Sequence, residues 1–390
     1  MSNTANTAKI VVVGGGFAGF WAAAAARRVG GEQVEIILVS AGSTLQMRPR
    51  LYEAMPEALG VELAPLLREL EVAFVIDTAT GLDLAQNRVV LSDGSLSFDR
   101  VVIAVGSVMR RPNLVGVDDT YSIDTQYEAI RFDTHLAVLS KRPTPTTVVV
   151  VGAGFTGVEL ALELRSRVEG HGGVENAEAL RIVLVDRAEE IGPELGPNPR
   201  PIISEALQQE RVEQRMNTMV MSLVDGVLTF DDGSTMPADA VVLATGLQAA
   251  PFVSNIPGQR DLAGRIIVDR NLRAPDAPQV FVTGDAAAAD TGDGHVSLQS
   301  CQHALQLGRY AGENAARDLL GLELVKYEQL RYVTCLDLGR AGAVFTTGWA
   351  REVTMSGDQA KALKRKINTE LIYPPVDATR ESLLRLSNFA

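Results

Sequence analysis

A chain of 390 residues, 46% of them hydrophobic, can bury two or three cores. Its 48 acidic against 36 basic residues give a net charge of −12, which argues against binding nucleic acid by neutralising phosphates. Two cysteines (Cys301, Cys335), four histidines without metal-ligand spacing and no apolar run near the ~20 residues of a membrane span speak against a disulfide scaffold, a metal centre and a transmembrane helix. The first strand begins near residue 9 with no basic stretch before it, which does not read as a secretory leader, so a cytoplasmic protein is expected.

Lys9 to Val13 is an unbroken β-branched run, as in a parallel strand covered on both faces. Gly14-Gly15-Gly16-Phe17-Ala18-Gly19 follows and opens an apolar helix that includes Phe20 to Ala26 and ends at Gly30-Gly31. In such a turn the first glycine allows the bend, the second lets backbone approach a pyrophosphate, and the third lets helix and strand pack closely. The helix N-terminus then offers free N–H groups and a positive dipole end to the phosphates. The next strand, Val34 to Val39, ends at Ser40, where an acid would normally hold ribose hydroxyls. Arg88 to Gly94 reads as a hairpin turning at Asp-Gly, and Val101 to Ala104 as a returning strand that closes at Val105-Gly106.

The pattern then repeats. Thr147 to Val151 leads into Gly152-Ala153-Gly154-Phe155-Thr156-Gly157, Val227 to Gly233 repeats the hairpin, and Val241 to Gly246 repeats the returning strand. Gly14 to Gly94 spans 80 residues and Gly152 to Gly233 spans 81; Gly14 to Gly106 spans 92 and Gly152 to Gly246 spans 94. Here the second strand, Arg181 to Val185, ends at Asp186, 34 residues after Gly152, the distance being stretched by an insertion around Gly170 to Glu178. A carboxylate there accepts from both hydroxyls of an unphosphorylated ribose and repels a 2′-phosphate, so NADH is favoured over NADPH, although Arg187 beside it tolerates a phosphate.

Further along, Val280 to Val282 reads as a short buried strand ending in Thr283-Gly284-Asp285, with one acid at the strand's carboxyl end, where ligands of α/β sheets bind. In Cys301-Gln302-His303-Ala304-Leu305-Gln306-Leu307-Gly308, Gln302 and Gln306 stand at i and i+4 on one helix face. Val333 to Leu338 and Ala343 to Thr347 read as strands, and Gly357 to Tyr373 as a helix stopped by Pro374-Pro375. In that helix Ala360, Leu363, Ile367 and Leu371 recur at three and four residues among Lys361, Lys364, Arg365 and Lys366, as in a helix packed on its own domain with a solvated basic face. The expected class is α/β: two Rossmann-like dinucleotide-binding domains plus a small C-terminal α+β domain. The expected boundaries are 1–115, a connecting segment 116–145, 146–255, 256–320 (returning to the first domain) and 321–390.

The succession GGGFAG, GAGFTGVE, VVLATG and VTGDAA resembles the two-dinucleotide-binding flavoprotein superfamily over roughly residues 9 to 320, and within it the type II NADH dehydrogenases most closely. The resemblance implies FAD at the first turn, with Gly14, Gly16, Phe17, Ala18, Gly19, Ser40, Arg48, Ala79, Gly106, Gly284, Asp285 and Ala304 as its contacts. It implies NAD(P)H at the second, with Gly152, Gly154, Phe155, Thr156, Gly157, Asp186 and Gly246. Glu159 stands where that family keeps an acid facing nicotinamide and flavin; Gln302 and Gln306 match glutamines that border a quinone pocket; His303 is a candidate acid or base. Cys301, Val105 and Ser40 depart from the family's usual alanine, threonine and acid. A thiol–disulfide relay is not expected, because no cysteine lies near the second turn. The implied reaction is hydride transfer from NADH to FAD, then two electrons to a quinone or aromatic heterocycle. The alternatives are a soluble flavin dehydrogenase or oxidase of a small aromatic metabolite such as a phenazine, and an NADH-binding signalling flavoprotein of the apoptosis-inducing-factor type. The family's C-terminal amphipathic helices imply peripheral contact with the inner face of the cytoplasmic membrane, or, as another use of that domain, a homodimer.

Overall fold

The computed structural model describes residues 7–375 and 379–389. The leader reading rests partly on residues 1–6, which lie outside them. The first sheet is made of β-branched runs with two apolar faces. Ala8–Val13 lies near its middle and pairs in parallel with Val34–Ser40, Ile10 opposite Ile36 and Val13 opposite Val39, and on its other side with Arg100–Ile103. Ala73–Ile76 and Ala277–Val282 extend the sheet in parallel, and Arg273–Ala274 closes one edge as the antiparallel arm of a hairpin.

The second sheet repeats this centre. Thr147–Val151 lies between Arg181–Val185 and Ala240–Leu243, Val148 opposite Ile182, with Val212–Arg215 and Tyr121–Ser122 outermost and every pairing parallel. Each unit also carries a three-stranded antiparallel sheet: Ala79–Asp83, Arg88–Leu91 and Ser95–Ser97 in the first, Val220–Val224, Val227–Phe230 and Thr235–Pro237 in the second. The chain crosses between the units twice, and the crossings Ser107–Met109 and Leu247–Ala249 pair antiparallel. The fold is α/β with two Rossmann-type sheets.

The repetition reaches buried side chains. Thirteen residues beyond the first glycine of each turn stands an arginine, Arg27 or Arg165. Arg27 donates to the carbonyls of Val34 at 3.2 Å and Glu71 at 2.7 Å, and Arg165 to those of Leu180 at 3.3 Å and Glu210 at 2.9 Å. Each thereby ties its helix to the start of the next strand and to the end of the following helix.

The helix of the first turn, Phe17–Gly30, packs against Cys301–Leu319. Side chains at Gly308 and Gly312 would run into the carbonyl oxygens of Ala18 and Ala22, so the two backbones touch. That contact explains the alanine run Ala22 to Ala26, every residue of which is fully buried, and it fixes the Gln302-bearing end of the second helix above the first turn.

The C-terminal domain is an antiparallel sheet of Val333–Asp337, Ala343–Thr347 and Glu352–Ser356, followed by the helix Gly357–Lys366 and a π-helical turn at Ile367–Leu371. The strand Glu352–Ser356 was not expected; its alternation of half-buried Val353 and Met355 with exposed neighbours is a short period-two signal. The helix Gly357–Lys366 and its π-helical extension correct the expected amphipathic face, and a last short helix, Arg380–Leu386, follows them. Ala360, Lys364 and Asn368 point inward, whereas Leu371 is exposed. Among the described residues no helix is long and apolar enough to cross a membrane.

Candidate functional site

At the first turn the sequence requires glycine twice for steric reasons. Gly14 has φ +114°, and a side chain there would strike the Ala104 carbonyl; one on Gly19 would strike the carbonyl oxygen of Gly14. Around Gly16 nothing would lie within 4 Å of a side chain. This leaves an open mouth at the N-terminus of Phe17–Gly30, where backbone N–H groups and the helix dipole favour a phosphate. Phe17 and Ala18 form the buried first turn of that helix. The Ser40 side chain lies against Gly15 at the end of its strand. Ala79 begins an accessory strand two residues past Asp77, whose N–H donates to the Ser40 carbonyl at 3.0 Å.

Gly284 has φ +64° and lies against Ala18, with Ala304 beside it. Asp285 accepts from the Ser107 hydroxyl at 2.6 Å, and Arg48 Nη1 lies 3.9 Å from the same carboxylate and 3.2 Å from Ser107 Oγ. Asp124 anchors Arg48 in turn, by its side chain at 2.5 Å and its carbonyl at 3.0 Å. Burial raises the Asp285 pKa above the usual carboxylate value, with Arg48 and Ser107 opposing it. Thr283 Oγ1 is buried without a partner beside this acid. An open phosphate mouth, a strand-end carboxylate and an orphaned hydroxyl fit a bound dinucleotide. Gly106 has φ +72°, and its carbonyl receives the Ala250 N–H at 3.1 Å.

The second turn repeats this geometry: Gly152 has φ +109° against the Ala244 carbonyl, and Gly157 is pressed on Gly152. Phe155 and Thr156 open its helix, Phe155–Gly172. Asp186 is built into the turn, one carboxylate oxygen accepting from Ala153 N at 2.6 Å and the other from Ala188 N at 2.8 Å. Gly246 has φ +85° and receives Arg110 N–H at 2.8 Å, bracing the crossing. The mouth, however, differs. A side chain on Gly154 would run into the carboxylate of Glu194.

Glu159 is buried on the same helix and paired with Lys364 Nζ at 2.8 Å, while its Oε1 also accepts from Asp337 N at 2.9 Å. This corrects the solvated basic face expected for Lys364. Burial works to lower the Lys364 pKa, and Glu159 more than offsets it, keeping the ammonium charged. The neighbouring Lys361 likewise turns in to Asp337 at 2.5 Å, and Tyr52 donates to Asp337 at 3.2 Å. One helical turn from Glu159, burial pushes the Glu163 carboxyl up to about 7. Lys364 was legible as i+4 from Ala360, but charge outweighed position in the sequence reading.

His303 is fully buried, its Nδ1 held by Ser300 Oγ at 2.9 Å and its Nε2 without a partner. Burial and then Arg265 lower its pKa to about 4, so the imidazole is neutral through the physiological range. Beside it stand Tyr332 and Trp349, stacked at 4.3 Å, with His295 stacked on the far face of the Trp349 pairing at 4.4 Å. Gln302 donates to the Arg331 carbonyl at 3.3 Å, and Gln306 Oε1 is buried and unpartnered. Burial pushes the Cys301 and Cys335 thiols up to about 11, so neither is a ready thiolate. Among the described residues no group of three or more His, Cys, Asp or Glu could hold a metal ion. The aromatic wall and Lys364 come from the C-terminal domain, and no motif marks them in the sequence.

Known proteins match this architecture. The profile of the pyridine nucleotide-disulphide oxidoreductase family matches residues 8–308. An NADH dehydrogenase-like protein of Mycobacterium tuberculosis is 40% identical over 387 residues, covering 96% of this chain and 97% of its own. A demethylphylloquinone reductase of Synechocystis is 27% identical over 379 residues, covering 92% and 91%. Among solved structures, the sulfide:quinone oxidoreductase of Aquifex aeolicus superposes with a TM-score of 0.75 at 19% identity, over 93% of this chain and 90% of that one, a likeness of fold.

Proposed function

The chain belongs to the pyridine nucleotide-disulphide oxidoreductase family, and from that membership we propose an FAD-dependent enzyme that takes hydride from NADH and delivers two electrons to a quinone or quinone-like aromatic acceptor. The observation that carries this reading is the doubled turn, in which Gly14 and Gly152 press on equivalent carbonyls and Gly19 and Gly157 on their own turns. When bound, the flavin supplies the chemistry, accepting hydride from a reduced nicotinamide and releasing electrons to an acceptor.

The chain's residues bind and orient. The Gly14 turn and the Phe17–Gly30 N-terminus hold one pyrophosphate, with Asp285 and Ser40 as acceptors for hydroxyls at its two ends. Asp186 accepts ribose hydroxyls at the second turn and repels a 2′-phosphate, which favours NADH. Glu159, whose Oε1 accepts from Lys364 Nζ, tunes the charge beside the second turn or relays a proton through that lysine. Gln302, Gln306 and the Tyr332–Trp349 wall offer amides and a flat apolar face to a planar acceptor, while neutral His303 positions that wall. Proximity and orientation supply most of the rate enhancement.

Anaerobic titration of the purified protein with NADH and NADPH, followed by a panel of quinones, phenazines and oxygen, tests this. Bleaching of a bound flavin by NADH in preference to NADPH, with reoxidation by a quinone, is the expected result. A protein that purifies and reconstitutes without flavin sinks the reading. Flavin that NADH leaves oxidised turns the reading toward an aromatic electron donor.

A further inference from the structure

The second glycine turn is already partly filled. Where the first turn has open space around Gly16, the Glu194 carboxylate lies against Gly154, at the N-terminus of Phe155–Gly172. A helix N-terminus attracts an anion whether it belongs to a ligand or to the chain. The Glu194 backbone is carried there by its own loop, and its side chain is exposed. It sits in the single helical turn Pro193–Leu195, with Leu195 buried behind it and Leu195 N bonded to the Gly192 carbonyl at 2.7 Å. The far end of the loop is latched to the C-terminal domain, Asn198 donating to the Ala350 carbonyl at 2.8 Å and Gly196 lying against the Arg351 side chain.

Arg351 is the second observation. It is only 6% exposed, its guanidinium sits 5.2 Å from the rings of both Phe155 and Tyr332, and its Nη1 is buried without a hydrogen-bond partner. Among the described ion pairs it has none, so a buried cation stands beside the second turn without a counterion.

We propose that Glu194 sets dinucleotide affinity at the second turn: its carboxylate holds the place of the pyrophosphate in the free protein, and a dinucleotide binds by displacing it toward the unpaired guanidinium of Arg351. The inference rests on the reading of the second turn as the NADH site. A pyrophosphate cannot share the helix N-terminus with this carboxylate, because the two anions repel and occupy one volume, and the exposed Glu194 side chain is free to swing aside. Once displaced, the carboxylate becomes the counterion that Arg351 lacks.

Calorimetric titration of the flavin-loaded protein with ADP-ribose, which carries the pyrophosphate without the redox-active ring, and anaerobic titration with NADH test this together. Glu194→Gln and Glu194→Ala are expected to tighten both ligands about tenfold, with flavin content unchanged. Arg351→Met is expected to weaken both, and the Glu194→Ala/Arg351→Met double variant to bind as tightly as Glu194→Ala alone, since Arg351 then has nothing to receive. Tightening by Ala but not by Gln supports displacement by occupied volume. Unchanged or weaker binding in both Glu194 variants overturns the proposal while leaving the NADH site standing. Failure of the wild type and every variant to bind either ligand overturns both.

Discussion

From the first glycine of each turn, the two halves of this protein keep the same backbone for thirteen residues but differ in charge within them. Arg27 and Arg165 make the same carbonyl bonds at the same place. Between glycine and arginine, however, the first helix has Trp21 and Ala25 where the second has Glu159 and Glu163. The first helix is apolar because it lies against the backbone of Cys301–Leu319. The second is acidic because it meets Lys361 and Lys364 of the C-terminal domain. The mouths differ likewise, Ser40 and open space against Asp186 and Glu194. A duplicated backbone thus supplies two equivalent glycine turns, and the side chains packed around each give their mouths different character.

The largest effects should come from blocking one cradle at a time. Gly157→Val drives a side chain into the Gly152 carbonyl and should abolish NADH binding, by about a hundredfold or more, with flavin retained; Gly19→Val should lose the flavin. Flavin-to-protein ratios and NADH bleaching separate the two, and loss of both ligands in both variants would show that the cradles are not independent. Next, Lys364→Met strands Glu159 as a buried, unpaired carboxylate and should destabilise the fold by about 3–5 kcal/mol, most of it recovered in Lys364→Met/Glu159→Gln. Denaturant midpoints measure this, and a mild effect would mean that the pair contributes little in solution.

Asp186→Ala removes a charged acceptor and should weaken NADH by about 1.5–3 kcal/mol, whereas Ser40→Ala should cost FAD about 0.5–1.5 kcal/mol. Equal loss of both ligands on changing Asp186 would contradict the assignment of the two turns. The remaining effect is pH-dependent. Because burial raises Glu163 to about 7 from an unperturbed 4.5, the folded chain binds an extra proton between those values. Stability is therefore highest below pH 4.5 for this group and is lost as pH rises through 7, by up to about 3 kcal/mol. Glu163→Gln should flatten that decline in thermal melts, with no counterpart at Ala25.

Much of the fold was legible because each Rossmann unit is a local sequence event. Thr147–Val151 and Arg181–Val185 begin and end where β-branched runs begin and end, and the glycine spacing marks each turn. Part of the site was legible for the same reason: Gly14, Gly152, Asp186 and the Gly284-Asp285 pair stand at strand ends. Lys364 was misplaced because a lysine in a basic helical run reads as solvated until its buried partner, 205 residues away, is in view. Arg351 and Glu194 carry no motif, since their meaning comes from a glycine turn that neither of them adjoins in sequence.

By itself the sequence determined that a dinucleotide-binding unit occurs twice, because chain sterics make the turn and the alternation of strand and helix readable within about thirty residues. It also distinguished the two turns by the residue at the end of each second strand, Ser40 or Asp186. Only the tertiary structure decided what faces each cradle. Gly308 and Gly312 against Ala18 and Ala22, Lys364 against Glu159 and Glu194 against Gly154 are all contacts between separate elements. Their effect depends on burial, which removes water from charges and gives a lone carboxylate or guanidinium a consequence that it lacks along the chain.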